Sequence, residues 1–304
     1  MSFTTIVKNE VSKLDFSRSD KITELSALVN NLSKIDDNIL ISTENASVAR
    51  RIFGLTKDLY DITPKISVRK TSNLNRGYKY VLSIYDDKLL SYLNVFSKNS
   101  IPSEYLVDDD DLKRAYIRGA FLACGSINDP KKSRYHLELI FNNENYAKFI
   151  LNILNHFNLN SKVLKRDKKY MVYIKEAEKI SDFLKIISAS ESLLYFEDIR
   201  IYRDHKNMTN RLNNCEQANV DKMIKTASEQ LNDIKLVEDK IGLEVLSDKV
   251  KTACIYRKKY PDVSMLELSE IISIETGEPI TKSGLNHRFI KVKQLAKKIR
   301  EKRQ

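Results

Sequence analysis

Seven glycines and five prolines are few for 304 residues. So small a supply leaves little material for a glycine loop that cradles phosphate, and no GxxxxGKS/T or GxGxxG run occurs. The three cysteines, Cys124, Cys215 and Cys254, stand far apart and form no CxxC pair. Neither a disulfide framework nor a cysteine zinc site is therefore indicated. Four histidines (His136, His156, His205 and His287) are dispersed and make no HExxH array. No apolar run approaches the roughly 18 residues of a membrane span. The opening MSFTTIVKNEVSKLDF reads as a short amphipathic helix, not a signal peptide. The expectation is a cytoplasmic protein with free thiols and no cofactor, metal or membrane partner.

What is present is charge. Hydrophobic residues make up 42% and charged residues 31%, the balance of a soluble globular chain with room for two domains or more. A net charge of +11 points to a polyanionic partner, and its placement sharpens the point. At the C-terminal end Lys282, Arg288, Lys291, Lys293, Lys297, Lys298, Arg300, Lys302 and Arg303 face only Glu301.

The middle of the chain is organised around DDDDLKRAYIRGAFLACGSINDP, residues 108–130. The acids offer a helix N-cap. A cation site is the weaker reading, because four adjacent acids cannot all converge on one ion. Gly119, Ala120 and Ala123 then give the helix a small-residue face that lets another backbone approach closely. The partner is expected earlier in the same chain, where Ser26-Ala27-Leu28 aligns with Gly119-Ala120-Phe121.

That pairing belongs to an internal duplication. ILISTENASVARRIFGLTKDLYDITPKISV (39–68) and HLELIFNNENYAKFILNILNHFNLNSKVL (136–164) both run strand, cap, helix, strand. Leu55 and Ile153 are 98 residues apart, as are Leu59 and Phe157. Each helix is read as starting at a Glu-Asn pair, Glu44-Asn45 and Glu144-Asn145. In the strand and helix that follow, Tyr80 and Tyr170 are 90 apart, as are Ile84 and Ile174. Matched order and core phase argue for a repeated unit. The expected fold is α+β, a duplicated αββαββα domain with pseudo-two-fold symmetry followed by an all-α domain. The boundaries read as an N-terminal helix (1–20), a first repeat (21–97), a linker (98–110), a second repeat (111–190), a connector and long stiff helix (191–238), and a C-terminal module (239–304).

The C-terminal module has helix-turn-helix grammar. Ser264-Met265-Leu266-Glu267 is a capping box, and Thr276-Gly277-Glu278-Pro279 forces a turn. In the last helix Leu285, Phe289, Val292, Ala296 and Ile299 form one apolar stripe. The other side presents Ser283, His287, Ile290, Lys291, Gln294 and Lys298. A helix of this kind meets base edges at its N-terminal end, so Ser283, Asn286, His287 and Arg288 are the candidates for base contact. Arg288 lies near the core edge and can equally reach a phosphate. Lys291, Lys293, Lys297, Lys298 and Arg300 fit phosphate contacts, and Lys282 joins the DNA-binding set.

Two further basic sets, Lys65, Arg69, Lys70 and Arg76 in one repeat and Lys162, Lys165, Arg166, Lys168 and Lys169 in the other, either grip a duplex backbone or are solvated strand ends.

The small-residue helices and the strand-strand-helix order resemble the LAGLIDADG homing-endonuclease fold. More closely, RGAFLACGSINDPKKSRYHLEL, RLNNCEQANVDK and TKSGLNHRFIKV resemble the WhiA family of bacterial sporulation and cell-division regulators. The resemblance runs from the first residues to the final basic helix. It implies a LAGLIDADG-like domain joined to a DNA-binding helix-turn-helix domain, acting on transcription, cell division or chromosome segregation near the nucleoid. In the endonucleases each motif helix ends in an acid that holds a metal over the scissile phosphate. The corresponding positions here align as Asn31 and Cys124, neither of which supplies a hard anionic oxygen. No catalytic residue is therefore expected. The alternatives are a site-specific endonuclease and a protein-interaction scaffold on a degenerate nuclease fold. Double-stranded DNA is the expected partner, with other regulatory proteins as a further class. Because the duplication supplies a two-fold within one chain, a monomer is expected.

Overall fold

The computed structural model describes residues 1–35, 39–70, 77–86, 89–93, 101–132 and 134–301. The chain divides into two units, Met1–Asp204 and His205–Gln304. The first opens with α1 (Phe3–Val11). The first repeat follows as α2 (Arg18–Leu32), β1 (Ser33–Ile35), β2 (Ile39–Thr43), α3 (Ala46–Tyr60), β3 (Lys65–Lys70), β4 (Tyr78–Ile84) and α4 (Leu89–Tyr92). The second is α5 (Asp110–Cys124), β5 (Gly125–Ile127), β6 (Leu137–Phe141), α6 (Glu144–His156), β7 (Lys162–Arg166), β8 (Lys169–Ile174) and α7 (Ala177–Ile186). Both are αββαββα, as the sequence led us to expect.

Each repeat forms one antiparallel sheet, in the orders β1-β2-β4-β3 and β5-β6-β8-β7. The registers repeat too. Thr43 lies opposite Tyr80 and Ile39 opposite Ile84, while Phe141 lies opposite Tyr170 and Leu137 opposite Ile174. Alternation sends Ile39, Ile41, Leu82 and Ile84 of one sheet, and Leu137, Leu139, Val172 and Ile174 of the other, into a single core. Each such side chain contributes about 1.5–3 kcal/mol on burial.

Local chemistry fixes where the helices begin. The Asp109 carboxylate accepts from Leu112 N–H at 2.7 Å and starts α5. Asn45 Oδ1 accepts from the N–H groups of Ser47 and Val48 at the start of α3. In the second repeat the cap is Asn143, whose Oδ1 accepts from Tyr146 N–H at 3.0 Å. The expected Glu144-Asn145 start is therefore two residues late: Glu144 is already helical, and Asn143 is the residue 98 after Asn45.

α2 and α5 pack face to face at the centre. A Cβ on Gly119 would stand 2.4 Å from the Glu24 carbonyl oxygen and 2.8 Å from Ala27 Cβ, so glycine is what permits the approach. Beside this contact the buried Glu24 carboxylate accepts from Arg118 Nε at 2.8 Å and from Arg51 Nε at 2.7 Å. Arg118 also lies 3.5 Å from the centre of the Phe16 ring.

α1 is tied to distant parts of the same unit. Thr4 Oγ1 donates to Ile127 O and accepts from Ile127 N–H, each at 2.9 Å. The Glu10 carboxylate accepts from the N–H groups of Glu191 and Ser192 at 2.7 and 3.0 Å. Those are the free donors at the start of α8 (Ser190–Ile241), so the cap of that helix comes from another segment. The polar stretch after residue 194, read from sequence as a connector, is helical throughout, and residues 204–222 are all exposed.

In the second unit, α8 packs through Ile234 and Val237 with α9 (Asp248–Lys259), α10 (Met265–Thr276) and α11 (Lys282–Glu301). The capping box forms as expected: Glu267 N–H donates to Ser264 Oγ at 3.2 Å, and Ser264 N–H to the Glu267 carboxylate at 2.8 Å. Gly277 closes α10 at φ 71°, a left-handed turn that glycine adopts without strain. Glu275 of α10 accepts from Lys259 Nζ at 2.9 Å and from the Tyr260 hydroxyl at 2.8 Å, clasping α10 to the end of α9. Buried Arg257 donates to Val263 O at 2.7 Å and to Gln230 Oε1 at 3.0 Å, fixing the turn between those helices.

Candidate nucleic-acid interface

The hydroxyl of Thr281 accepts from Gly284 N–H at 3.1 Å and opens α11. From there Leu285, Phe289, Val292 and Ala296 enter the core at the expected intervals. At 100° per residue, Ser283, His287, Lys291, Gln294 and Lys298 fall within one arc on the opposite side, with Ile290 at its edge, and all six are exposed. Five candidates lie elsewhere. Asn286 and Lys293 border a groove of about 150 Å³ against Thr226, Glu229, Gln230 and Asp233 of α8. Lys293 Nζ is 3.6 Å from the Glu229 carboxylate. Arg288 is half-buried, and its Nη1 donates to Lys249 O at 3.1 Å. Lys282 stands on the flank with Asn286, facing Asn219 and Lys222. Arg300 pairs with Asp233 at 2.7 Å, which turns it toward α8.

Strand register sorts the second basic set. On the sheet face turned away from the core, Lys65 lies opposite Ser83 and Arg69 opposite Lys79. The second sheet carries Lys162 opposite Tyr173 and Arg166 opposite Lys169 on the same face. Since Ser83 and Tyr173, like Lys79 and Lys169, are 90 residues apart, three basic positions recur: Lys65 with Lys162, Arg69 with Arg166, and Lys79 with Lys169. Lys34, opposite Leu40, extends the set on the first sheet, while Glu138 is an acid on the second. Lys79 and Lys34 were missed from sequence. In YKYVLSI the alternation of Tyr80, Leu82 and Ile84 with Lys79, Val81 and Ser83 would have placed Lys79.

Lys70 and Lys165 lie opposite Tyr78 and Tyr170, on the other face, and Lys165 Nζ is 5.7 Å from the centre of the Tyr170 ring. Lys168 sits in the turn between β7 and β8. Arg76 lies outside the described residues.

The ends of the two central helices decide what metal chemistry they offer. Ser33 pairs with Ile41 and Gly125 with Leu139, and Ile41 and Leu139 are 98 apart. The counterpart of Cys124 is therefore Leu32, one residue beyond the Asn31 of the sequence alignment. Asn31 instead donates to Ala27 O at 2.7 Å and to the Tyr146 hydroxyl at 2.8 Å. Burial pushes the Cys124 thiol up to about 12, against the pull of nearby Lys8. Burial in turn lowers the Lys8 ammonium to about 8. A leucine, a neutral thiol and a cation are poor company for Mg²⁺, which seeks charged oxygen. Among the described residues no group of three or more His, Cys, Asp or Glu side chains could hold a metal ion, and no helix is long and apolar enough to cross a membrane.

Fold and site together define the class: two LAGLIDADG-like domains of four antiparallel strands each, followed by a helical helix-turn-helix region. Residues 18–96 match the WhiA N-terminal LAGLIDADG-like domain, 113–206 the WhiA LAGLIDADG-like domain, and 209–296 the WhiA C-terminal HTH domain. The chain belongs to the WhiA family. It is 40% identical to a probable cell division protein WhiA of Staphylococcus epidermidis, over 99% of this chain and 98% of that one. The corresponding protein of Staphylococcus haemolyticus is 41% identical over the same shares. In fold it resembles the crystal structure of full-length DUF199/WhiA from Thermatoga maritima, with a TM-score of 0.60, 23% identity, and coverage of 98% of this chain and 99% of that one.

Proposed function

We propose that this chain is a non-enzymatic DNA-binding regulator of bacterial cell division, acting on transcription and on linked events such as sporulation and chromosome segregation. The exposed arc of α11 carries the reading: Ser283, His287, Lys291, Gln294 and Lys298 share one face, backed by a stripe buried in the core of its own unit. Set into a major groove, this face offers Ser283, His287 and Gln294 for base edges, and Lys291 and Lys298 for phosphates. Lys65, Arg69, Lys79 and their counterparts Lys162, Arg166 and Lys169 supply a second, sequence-independent grip on a duplex backbone. The names of the staphylococcal relatives support the link to division.

The reading is tested by DNA binding across salt concentrations. Replacing Lys291 and Lys298 by Ala removes two phosphate contacts, so the slope of log K against log salt should flatten by about 1.8. An unchanged affinity and slope would remove α11 from the interface. The absence of a carboxylate at Leu32 and Cys124 supports the non-enzymatic part. Mg²⁺-dependent cutting of duplex DNA by the pure protein would overturn it.

A further inference from the structure

Residues 204–222 of α8 are exposed on every side, yet the segment is not polar all round. Met208 and Leu212 are 62% and 55% exposed, and Cys215 is exposed as well. A helix that only bridges solvent has no use for an apolar stripe. These residues follow a seven-residue repeat. Met208 and Cys215 take one seam position, which Ile201 begins a heptad earlier, and His205, Leu212 and Asn219 take the other, four residues on. This is the a/d seam of a two-stranded coiled coil, with His205, Leu212 and Asn219 at a and Met208 and Cys215 at d.

We propose that this segment of α8 pairs in parallel with the same segment of a second copy of the chain. The flanking charges select that occupant. Arg211 precedes the Leu212 a position and Glu216 follows the Cys215 d position, so they are the g and e residues of adjoining heptads, five apart. In a parallel pair that spacing sets the Arg211 of each copy beside the Glu216 of the other, giving two ion pairs by symmetry. Asn219, which borders the groove beside Lys282 on one side, takes the last a position, where the amide of each copy meets the other and fixes register and strand number. The seam stops at Lys222, the next d position. From there α8 is progressively covered by its own unit: Ala227 is 6% exposed and Ile234 fully buried. The bare segment and the heptad pattern thus share an end. Two adjacent apolar layers, Met208 and Leu212, with Cys215 beside them and polar layers at either end make a weak dimer, in exchange with the monomer the internal duplication led us to expect.

The full chain is tested by sedimentation over a range of concentrations and by mild oxidation with copper-phenanthroline. The expected result is a concentration-dependent rise toward twice the single-chain mass, together with a disulfide through Cys215. Of the three cysteines this is the exposed one, and the parallel in-register pair places it opposite itself. Leu212→Asp, at an exposed position, should abolish both signals while leaving the circular dichroism spectrum unchanged. Glu216→Arg should abolish them too, and adding Arg211→Glu should restore them. A single-chain mass at every concentration overturns the proposal, and so does a dimer indifferent to Leu212→Asp. A Leu212-dependent dimer that never cross-links at Cys215 overturns the parallel arrangement.

Discussion

Glu24 of α2 and Arg118 of α5 meet at 2.8 Å in the centre of the helix pair, both buried, with Arg51 on the other side of the same carboxylate. One buried anion thus serves two cations, and the cost of losing each partner differs. Glu24→Gln leaves two guanidiniums without a counter-charge and should destabilise the chain by about 3–5 kcal/mol. Arg118→Met leaves a balanced Arg51–Glu24 pair and should cost less than half as much. Urea unfolding of the two variants checks the order; equal losses would show that the three charges are not coupled.

Gly119 and Gly54 give opposite expectations for one substitution. Gly119→Ala drives a methyl group to 2.4 Å from the Glu24 carbonyl oxygen, an overpacking worth about 1–3 kcal/mol of lost stability. Gly54 lies within α3 with nothing inside 4 Å of its would-be Cβ, so Gly54→Ala should stabilise by about 0.5–1 kcal/mol. Thermal melts in opposite directions are the expected pair of results.

Thiol labelling reads the environment of the helix end. Burial raises the Cys124 thiol to about 12 and the Cys254 thiol to about 11, so neither is a thiolate near neutral pH. Cys215 is exposed. One thiol per folded chain should react quickly with a disulfide reagent, and three after unfolding. Rapid labelling of Cys124 in the folded chain would show that the end of α5 opens readily.

The second unit should weaken in acid. The N–H and hydroxyl of Ser264 hold the Glu267 carboxyl below its usual range, and Lys259 and Tyr260 do the same for Glu275. A folded-state value below the unfolded one, about 4.3, means that the stabilisation is complete above that pH and is lost as pH falls through the lower value. Melting temperature should therefore drop below about pH 4, and less steeply in Glu267→Gln and Glu275→Gln.

The sheet faces make a separate forecast. Replacing Arg69 and Arg166 by Ala should flatten the salt dependence of DNA binding by about 1.8 while sparing the preference among sequences. A slope equal to that of the parent chain would mark these residues as solvated strand ends.

Much of this was legible in the sequence, for a physical reason in each case. The offsets of 98 and 90 survive because strand register and helix phase are set by apolar periodicity, which a sequence displays directly. β1 and β5 were not delimited from sequence, since three residues are too few to show alternation. The α2–α5 alignment slipped by one because Ser26-Ala27 and Gly119-Ala120 look alike as small pairs; the pairing of Ser33 with Ile41 and of Gly125 with Leu139 settles it. Glu144-Asn145 imitated Glu44-Asn45, whereas the capping amide belongs to Asn143. The reach of Arg288 and Lys293 depends on Lys249 and Glu229, partners that only the fold brings near.

The ties of α1 bear on how the protein is made. Glu10 caps a helix whose first turn lies 181 residues further along, and Thr4 binds Ile127, 123 residues on. At about 5–20 residues per second on the ribosome, the α1 segment waits roughly ten to forty seconds for the start of α8 to be synthesised. Until then Phe3 lacks Tyr195 and Phe196, the rings it packs against in the finished domain. The last partners of the first helix are therefore made only after more than half of the chain, so its packing is completed late.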